Sequence, residues 1–409
     1  MTAFFRTIIS STLIIFFSIS INAQSLDFIN TNINTIEMNG DDWSELKEEL
    51  QNLRPWTSDK FNILHIGDSH IQADIMTSVV RRILQQEFGN GGRGCIAALK
   101  LAGTNQPSDY SITSSTKPYA KCRLAKHNRN IDPGVTGVGV RFKNNPNKLS
   151  ISLHGEDSLF SSITLLHSPS HKYVNASADR ISYIGTEVSS YATSFDLQHE
   201  TQAINIDIDL DGTFYGAYVT NDRSGIIYNS IGNNGACFSH YLEIDSFGAQ
   251  TKLFNPQLII LSMGTNEAFG SATSSDIYAS IDSLVTMLQE ANPNAKFLLT
   301  TPIESQKRIR RRVKRNGKYR TIRTFSVNNK VAVVRDIIKQ YGEDKHIPVW
   351  DLYEIAGGKG ASNLWIENGL MSNRDHVHCS VIGYELQGSL LSDALLLQMR
   401  GNVEISASN

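Results

Sequence analysis

Attack on an acyl carbon by a hydroxyl needs a base to take its proton, a carboxylate to orient that base, and donors for the oxyanion that forms. The chain holds such residues at four separated points. Ser69 lies in Gly67-Asp68-Ser69-His70, and Gly235 in Gly232-Asn233-Asn234-Gly235-Ala236. Asn266 lies in Gly264-Thr265-Asn266-Glu267-Ala268, and Asp375 and His378 in Arg374-Asp375-His376-Val377-His378. Asp375 and His378 are three apart, so one loop can deliver both. A glycine lets its N–H approach a ligand closely, and an asparagine amide supplies a second donor. Taken alone, Ser69 reads better as a helix N-cap, and Asp375 with His378 better as a turn pair. All four points taken together favour chemistry.

The elements around these residues can position them. The apolar run Phe61 to Ile66 reads as a buried strand, and Ile71 to Phe88 has helical apolar spacing, which puts Ser69 at a strand-to-helix junction. There unpaired N–H groups and the helix dipole favour developing negative charge. Residues 24 to 59 are polar, with Trp43 to Leu53 a short amphipathic helix, and read as a surface lead-in. From about Ser108 to Thr220 short alternating runs at Val138 to Phe142, Leu149 to His154, Ser162 to Leu166, Ile204 to Leu210 and Phe214 to Val219 predict an all-β insertion with sandwich-like spacing. Strands are then expected at Leu258 to Ser262, Lys296 to Thr300 and His346 to Leu352. They alternate with helices at Ser275 to Glu290, Val327 to Gln340 and Val381 to Met399, a pattern that implies a parallel sheet covered on both faces.

Other polar residues have plainer readings. His65 is expected to be a satisfied core histidine, Asp68 to stabilise its turn, and Glu267 and Asp74 to be supporting groups. His70 either borders the site or faces outward. His376 and His378 alternate like a metal pair, but no acidic or cysteine cluster accompanies them, so neither a metal nor an organic cofactor is expected. The Gly-x-Ser-x-Gly elbow is absent, since Ile71 occupies its second glycine position.

Residues 1 to 23 have the form of a secretory signal peptide: Arg6, a mostly apolar run from Ile8 to Ile21, and Ala23 before Gln24. Serines and a threonine interrupt that run, and no later stretch is long enough to span a bilayer, so an exported protein without stable membrane insertion is expected. Cys95, Cys122, Cys237 and Cys379 allow a disulfide in an exported chain, with free buried cysteines as the default. The net charge of −2 conceals ten Lys or Arg at residues 307 to 323 without an Asp or Glu, and the rest of the chain holds 28 basic against 40 acidic residues. Asn316-Gly317 makes this segment a charged β-ribbon. It reads either as attraction to an anionic wall polymer or, more simply, as charge that keeps an exposed edge unpaired. Nucleic acid is not an expected partner.

The four blocks, in this order and each at a strand end, resemble those of the SGNH (GDSL-like) hydrolases. That resemblance implies a flavodoxin-like sheet, Ser69 as nucleophile, His378 and Asp375 completing a triad, and Ser69 N–H, Gly235 and Asn266 as the oxyanion hole. The run Gly-Asp-Ser-His-Ile-Gln-Ala-Asp, the Asn-Gly-Ala step, Gly-Thr-Asn-Glu-Ala-Phe and the large insertion resemble more narrowly the bacterial peptidoglycan O-acetylesterases. Their inserted domain is similar to a carbohydrate-binding sandwich. Asn233 departs from that pattern, where an apolar residue is expected. The resulting expectation is an α/β fold with hydrolase parts at residues 24–105 and 226–409 around a β-sandwich at 106–225. The expected activity is removal of O-acetyl groups from a glycan, most of all O-acetylated peptidoglycan, in the periplasm or outside the cell. Another acetylated glycan such as xylan, acetyl transfer, or glycan binding without catalysis are the alternatives.

Overall fold

Four large apolar residues, Phe61, Ile63, Leu64 and Ile66, dominate the Lys60–Gly67 strand, and everything in it from Phe61 onward is buried. Phe61 and Ile63 enter one core, Leu64 and Ile66 the other, because alternate side chains leave opposite faces of a sheet covered on both sides. The computed structural model describes residues 26–400 apart from 127–129, 144–146, 156–157, 170–172, 210–211, 245 and 316–317. The signal-peptide reading of residues 1 to 23 and the Asn316-Gly317 turn lie outside the described residues.

Lys60–Gly67 pairs in parallel with Gly225–Gly232 on one side and Leu258–Ser262 on the other. Lys296–Thr300 and Val349–Trp350 continue the sheet in parallel. Numbered along the chain, these five strands lie in the order 2-1-3-4-5, the flavodoxin-like arrangement. The order reverses between Lys60–Gly67 and Leu258–Ser262, and in such sheets ligands bind beyond the carboxyl ends of the strands at that crevice. Ser69 and Asn266 follow those two strands directly. Helices cover both faces, Ile75–Phe88 and Val381–Met399 on one side and Ser274–Ala291 and Lys330–Lys345 on the other.

Residues 94 to 220 build two antiparallel sheets. The first runs in the order Ile181–Ile184, Tyr173–Ala178, Ala203–Asp209, Asn147–Leu153, Tyr110–Ser114. The second contains Ala192–Thr201, Phe160–His167, Phe214–Thr220 and Val138–Arg141. Ile151, Ile204 and Ile206 from one sheet and Val140, Ile163, Leu165 and Phe195 from the other share one hydrophobic core. Gly94–Ala97, which the sequence puts on the hydrolase side of residue 106, pairs with Phe214–Thr220 and so belongs with these sheets.

Several expectations need correction. Residues 24 to 59 are not a surface lead-in: Ile36–Glu37 adds an antiparallel edge strand beside Val349–Trp350, and Trp43, Leu46 and Leu50 are core residues. Polar neighbours hide this because only one face of the Ser44–Asn52 helix is apolar. The expected helix from Ile71 is divided into Ser69–Gln72 and Ile75–Phe88, because Asp74 takes a left-handed φ of 52°. The helix expected from Val327 begins at Lys330, since the ribbon strand Lys318–Val327 uses its first residue. The expected strand His346 to Leu352 shrinks to Val349–Trp350, because His346, at φ 56°, ends the preceding helix. Because Trp43 is fully buried, Trp43→Ala is expected to lower unfolding stability by about 3–5 kcal/mol. Urea denaturation measures this, and a loss below about 1 kcal/mol would mean that the amino-terminal segment is not part of the core.

Candidate functional site

Close packing of a four-residue helix fixes the position of Ser69. A Cβ on Gly67 would lie 2.2 Å from Ile71 Cγ1, and one on Gly232 would lie 2.0 Å from the Gln72 nitrogen. No side chain larger than hydrogen fits at either point, so the Ser69–Gln72 helix sits directly on two strand ends. The Asp68 carboxylate caps it, accepting from His70 N–H at 2.9 Å. Gln72 then binds the turn to its surroundings. Its Oε1 accepts from Asn234 N–H at 2.7 Å and its Nε2 donates to Thr104 and to the Asn105 side chain.

The Arg374 to His378 loop reaches this helix from just before Val381–Met399. His378 Nε2 stands 2.9 Å from Ser69 Oγ, and His378 Nδ1 3.0 Å from Asp375 Oδ2. A carboxylate only accepts, so Nδ1 bears the ring proton and Nε2 is left to accept from the serine hydroxyl. Partial burial works to raise the Asp375 pKa, but the His378 ring and the Val377 and His378 N–H groups outweigh it and hold the carboxyl below its usual range. The structure thus brings Ser69, His378 and Asp375 into one hydrogen-bonded line.

The expected donors sit at the same sheet end. Ser69 N–H opens its helix, where no earlier turn offers it an acceptor. Gly235 has φ 81°, a conformation that side-chain-bearing residues rarely adopt. Asn266, on the Thr265–Phe269 helix, donates at 2.9 Å to Ala236 O and at 3.3 Å to Asp68 Oδ2. The second contact is long enough to be exchanged for a stronger acceptor.

Around this line the polar residues are held by specific partners. His65 is enclosed between Tyr228 OH and Ser262 Oγ. Asp68 is buried, which raises its pKa to about 7 against the hydrogen bond from His70. Burial also raises that of Glu267, whose Oε1 accepts from Phe238 N–H. Asp74 pairs with Arg81 at 2.8 Å and with Arg93 at 2.6 Å, and Arg93 continues to Asp109 at 2.8 Å. This buried chain of charges fastens the helix after Ser69 to the antiparallel sheets. His70 borders the site: its ring lies 5.3 Å from that of His378, and Tyr384 OH stands 3.0 Å from its Nδ1.

Asn233 is buried and its Nδ2 donates hydrogen bonds to Thr136 O and Tyr241 OH, partners that an apolar residue would leave unpaired. None of the four cysteines is in a disulfide, and Cys379 accepts from Gln387. His376 and His378 do not form a metal pair. The His376 ring stacks on Phe325 at 3.6 Å between centroids and bonds to Gln306, while both His378 nitrogens are engaged. Sequence reasoning missed Gln72, Tyr384 and the Phe325 contact. Only Gln72 carried a signal, its place in the Gly-Asp-Ser-His-Ile-Gln run.

Comparison with known proteins gives one family-model match and several similar folds. Residues 213–386 match the model of the GDSL-like Lipase/Acylhydrolase family. The match covers less than half of the 409 residues. The match begins at Phe214–Thr220, the last strand of the antiparallel sheets, which leaves the Ser69 block outside it. A solved structure of a peptidoglycan O-acetylesterase is similar in fold, with a TM-score of 0.72 at 20% identity, covering 89% of this chain and 99% of that one. An acetyl xylan esterase, AlAXEase, matches with a TM-score of 0.31 at 17% identity, over 42% of this chain and 80% of its own. An acetylxylan esterase from Geobacillus stearothermophilus, Axe2, matches with a TM-score of 0.31 at 17% identity over 43% and 73%. No curated protein sequence matches the chain.

The buried histidines set a pH dependence of folding. Burial, and for His70 the nearby His378, lowers both pKa values from 6.5 to about 3. Between those values the unfolded chain binds protons that the folded one does not, so their contribution to stability shrinks as pH falls from about 6.5. Asp68, raised from 3.8 to about 7, and Glu267, also raised by burial, act in the opposite sense, so the histidine share is read against a variant that lacks both rings. Between pH 6.5 and pH 4 the thermal midpoint of the unaltered chain is expected to fall further, or rise less, than that of the double variant His65→Gln, His70→Gln. Equal changes in the two proteins would show that these imidazoles are not held neutral.

Proposed function

We propose that the chain is an exported serine esterase that removes O-acetyl groups from a carbohydrate polymer, with O-acetylated peptidoglycan as its substrate. The observation that carries this reading is the 2.9 Å approach of His378 Nε2 to Ser69 Oγ, with Asp375 behind the ring. The substrate choice draws on the solved peptidoglycan O-acetylesterase, whose fold covers 89% of this chain, antiparallel sheets included. The antiparallel sheets of residues 94–220 are assigned to a carbohydrate-gripping sandwich inserted between the two hydrolase parts.

In this mechanism Ser69 Oγ bonds to the acetyl carbon as its proton passes to His378 Nε2. Asp375 stabilises the imidazolium and holds its orientation. The carbonyl oxygen, now an anion, is received by Ser69 N–H, Gly235 N–H and the Asn266 amide, which releases Asp68 to do so. The intermediate collapses with loss of the sugar alkoxide, which takes the proton from His378 and leaves acetyl-Ser69. Water then gives a proton to His378 and its oxygen to the acetyl carbon. Acetate departs and Ser69 regains its hydrogen.

Ser69→Ala is expected to lower kcat on p-nitrophenyl acetate by about 10³-fold or more, and Asn266→Ala by about 10²–10³-fold. Equal rates for Ser69→Ala and the unaltered chain would remove the serine mechanism. On polymers, acetate release from O-acetylated wall sacculi is expected to exceed that from acetylated xylan at equal ester content. The reverse preference would overturn the substrate choice and leave the chemistry intact.

A further inference from the structure

The basic segment forms an antiparallel ribbon, Gln306–Arg315 with Lys318–Val327, in a register that runs from Gln306 opposite Val327 to Arg315 opposite Lys318. Alternate residues share a face, and directly opposed residues share the same one. One face therefore carries Gln306, Arg308, Arg310, Arg312 and Lys314 from the first strand and Phe325, Arg323, Thr321 and Tyr319 from the second. The root of this face is joined to the His378 loop. Gln306 N–H donates to His376 O at 2.9 Å, and its side chain bonds His376 Nδ1 at 2.7 Å. Phe325 stacks on the His376 ring, and Arg308 donates to Arg374 O at 2.7 Å.

Beyond the root, the face holds only cations, a threonine and an aromatic ring. Arg310 stands directly opposite Arg323, and Arg312 lies over the exposed ring of Tyr319, 4.7 Å from its centroid. Among the described residues no carboxylate pairs with any lysine or arginine of the ribbon. Protecting an edge from unwanted pairing does not require this. Like charges placed directly across a ladder destabilise it, and a mixture of signs would keep the edge equally solvated. Such an arrangement is compensated when an anion lies across it. The rest of the chain is acidic in balance, 28 basic against 40 acidic residues, so a polyanion is drawn to the ribbon and repelled elsewhere.

We propose that this face of the ribbon, from Arg308 to Lys314 and from Tyr319 to Phe325, docks a carboxylate-bearing glycan strand and leads it to Ser69. The proposal rests on the esterase reading and deepens it: the substrate is an anionic polymer, such as a wall glycan whose peptide stems carry free carboxylates. The nine residues from Gln306 to Lys314 span about 27 Å at strand rise, so the ribbon covers several sugars in advance of the ester. Guanidinium groups grip carboxylates, and the Tyr319 ring offers a flat apolar surface to a sugar face.

Two variants of equal charge test this with the full chain. One replaces the docking face, Arg310→Gln, Arg312→Gln, Lys314→Gln and Arg323→Gln. The other replaces the opposite face, Lys307→Gln, Arg311→Gln, Lys318→Gln and Arg320→Gln. Each is assayed for acetate release from O-acetylated sacculi and for hydrolysis of p-nitrophenyl acetate. The docking-face variant is expected to lose at least about tenfold more kcat/KM on sacculi than on the small ester at low salt. The opposite-face variant loses less than a third as much. That gap should close at about 0.5 M salt, where screening shortens the reach of each charge, and on sacculi whose carboxylates have been amidated. Equal losses from both faces, a docking-face loss shared by the small ester, or a gap that survives amidation would each overturn the proposal. So would tighter sedimentation with duplex DNA than with sacculi. Failure of the esterase reading is separate, since it appears as small-ester hydrolysis that does not depend on Ser69.

Discussion

The hydrogen bond between Ser69 and His378 closes a loop of 309 residues, and nearly every other feature serves to make it at 2.9 Å. Neither residue is placed by its neighbours in sequence alone. Ser69 is set by two strands that bear glycine where its helix rests, at Gly67 and Gly232, so the helix cannot rise or slide without losing contact with the sheet. His378 is set by Asp375, which accepts from its ring and also from the Val377 and His378 N–H groups. One carboxylate thus shapes the loop and orients the base within it. The parallel sheet supplies the common mouth at which the two meet.

That mouth is also where the antiparallel sheets and the ribbon are fastened. Gln72 joins the serine helix to Thr104, Asn105 and Asn234, and Asp74, two residues further on, anchors Arg81 and Arg93 in a buried charge chain. On the other side, Gln306 and Phe325 hold His376 within the loop that bears His378. Burying charges is costly unless each is paired, and here the pairing spans elements far apart in sequence. Any load carried by the ribbon therefore acts on a loop that Asp375 already holds rigid.

Much of this was legible in the sequence, because the relevant residues stand where apolar strands give way to glycine and polar turns. Gly67 to Ser69, Gly264 to Asn266 and the Asp375 to His378 spacing each mark such a junction. The parallel sheet followed from strands alternating with helices. What escaped was whatever depends on a partner distant in the chain. Trp43 sits among polar residues and becomes core only because Ile36–Glu37 extends the sheet edge. Asn233 looks misplaced until Thr136 and Tyr241 are seen beside its amide. His376 gave no local hint of Phe325. The strands Tyr173–Ala178 and Ile181–Ile184 bury mainly small side chains, Ala176 and Ala178, beside Tyr183, so their apolar alternation is faint in the sequence.

In the proposed mechanism His378 makes Ser69 a nucleophile. Labelling with a fluorophosphonate ester followed by peptide mapping addresses this directly, because the phosphorus is trapped on whichever hydroxyl attacks. One label is expected, on Ser69, formed rapidly in the unaltered chain and lost on His378→Ala. A label on another residue, or undiminished labelling of Ser69 without the imidazole, would contradict it.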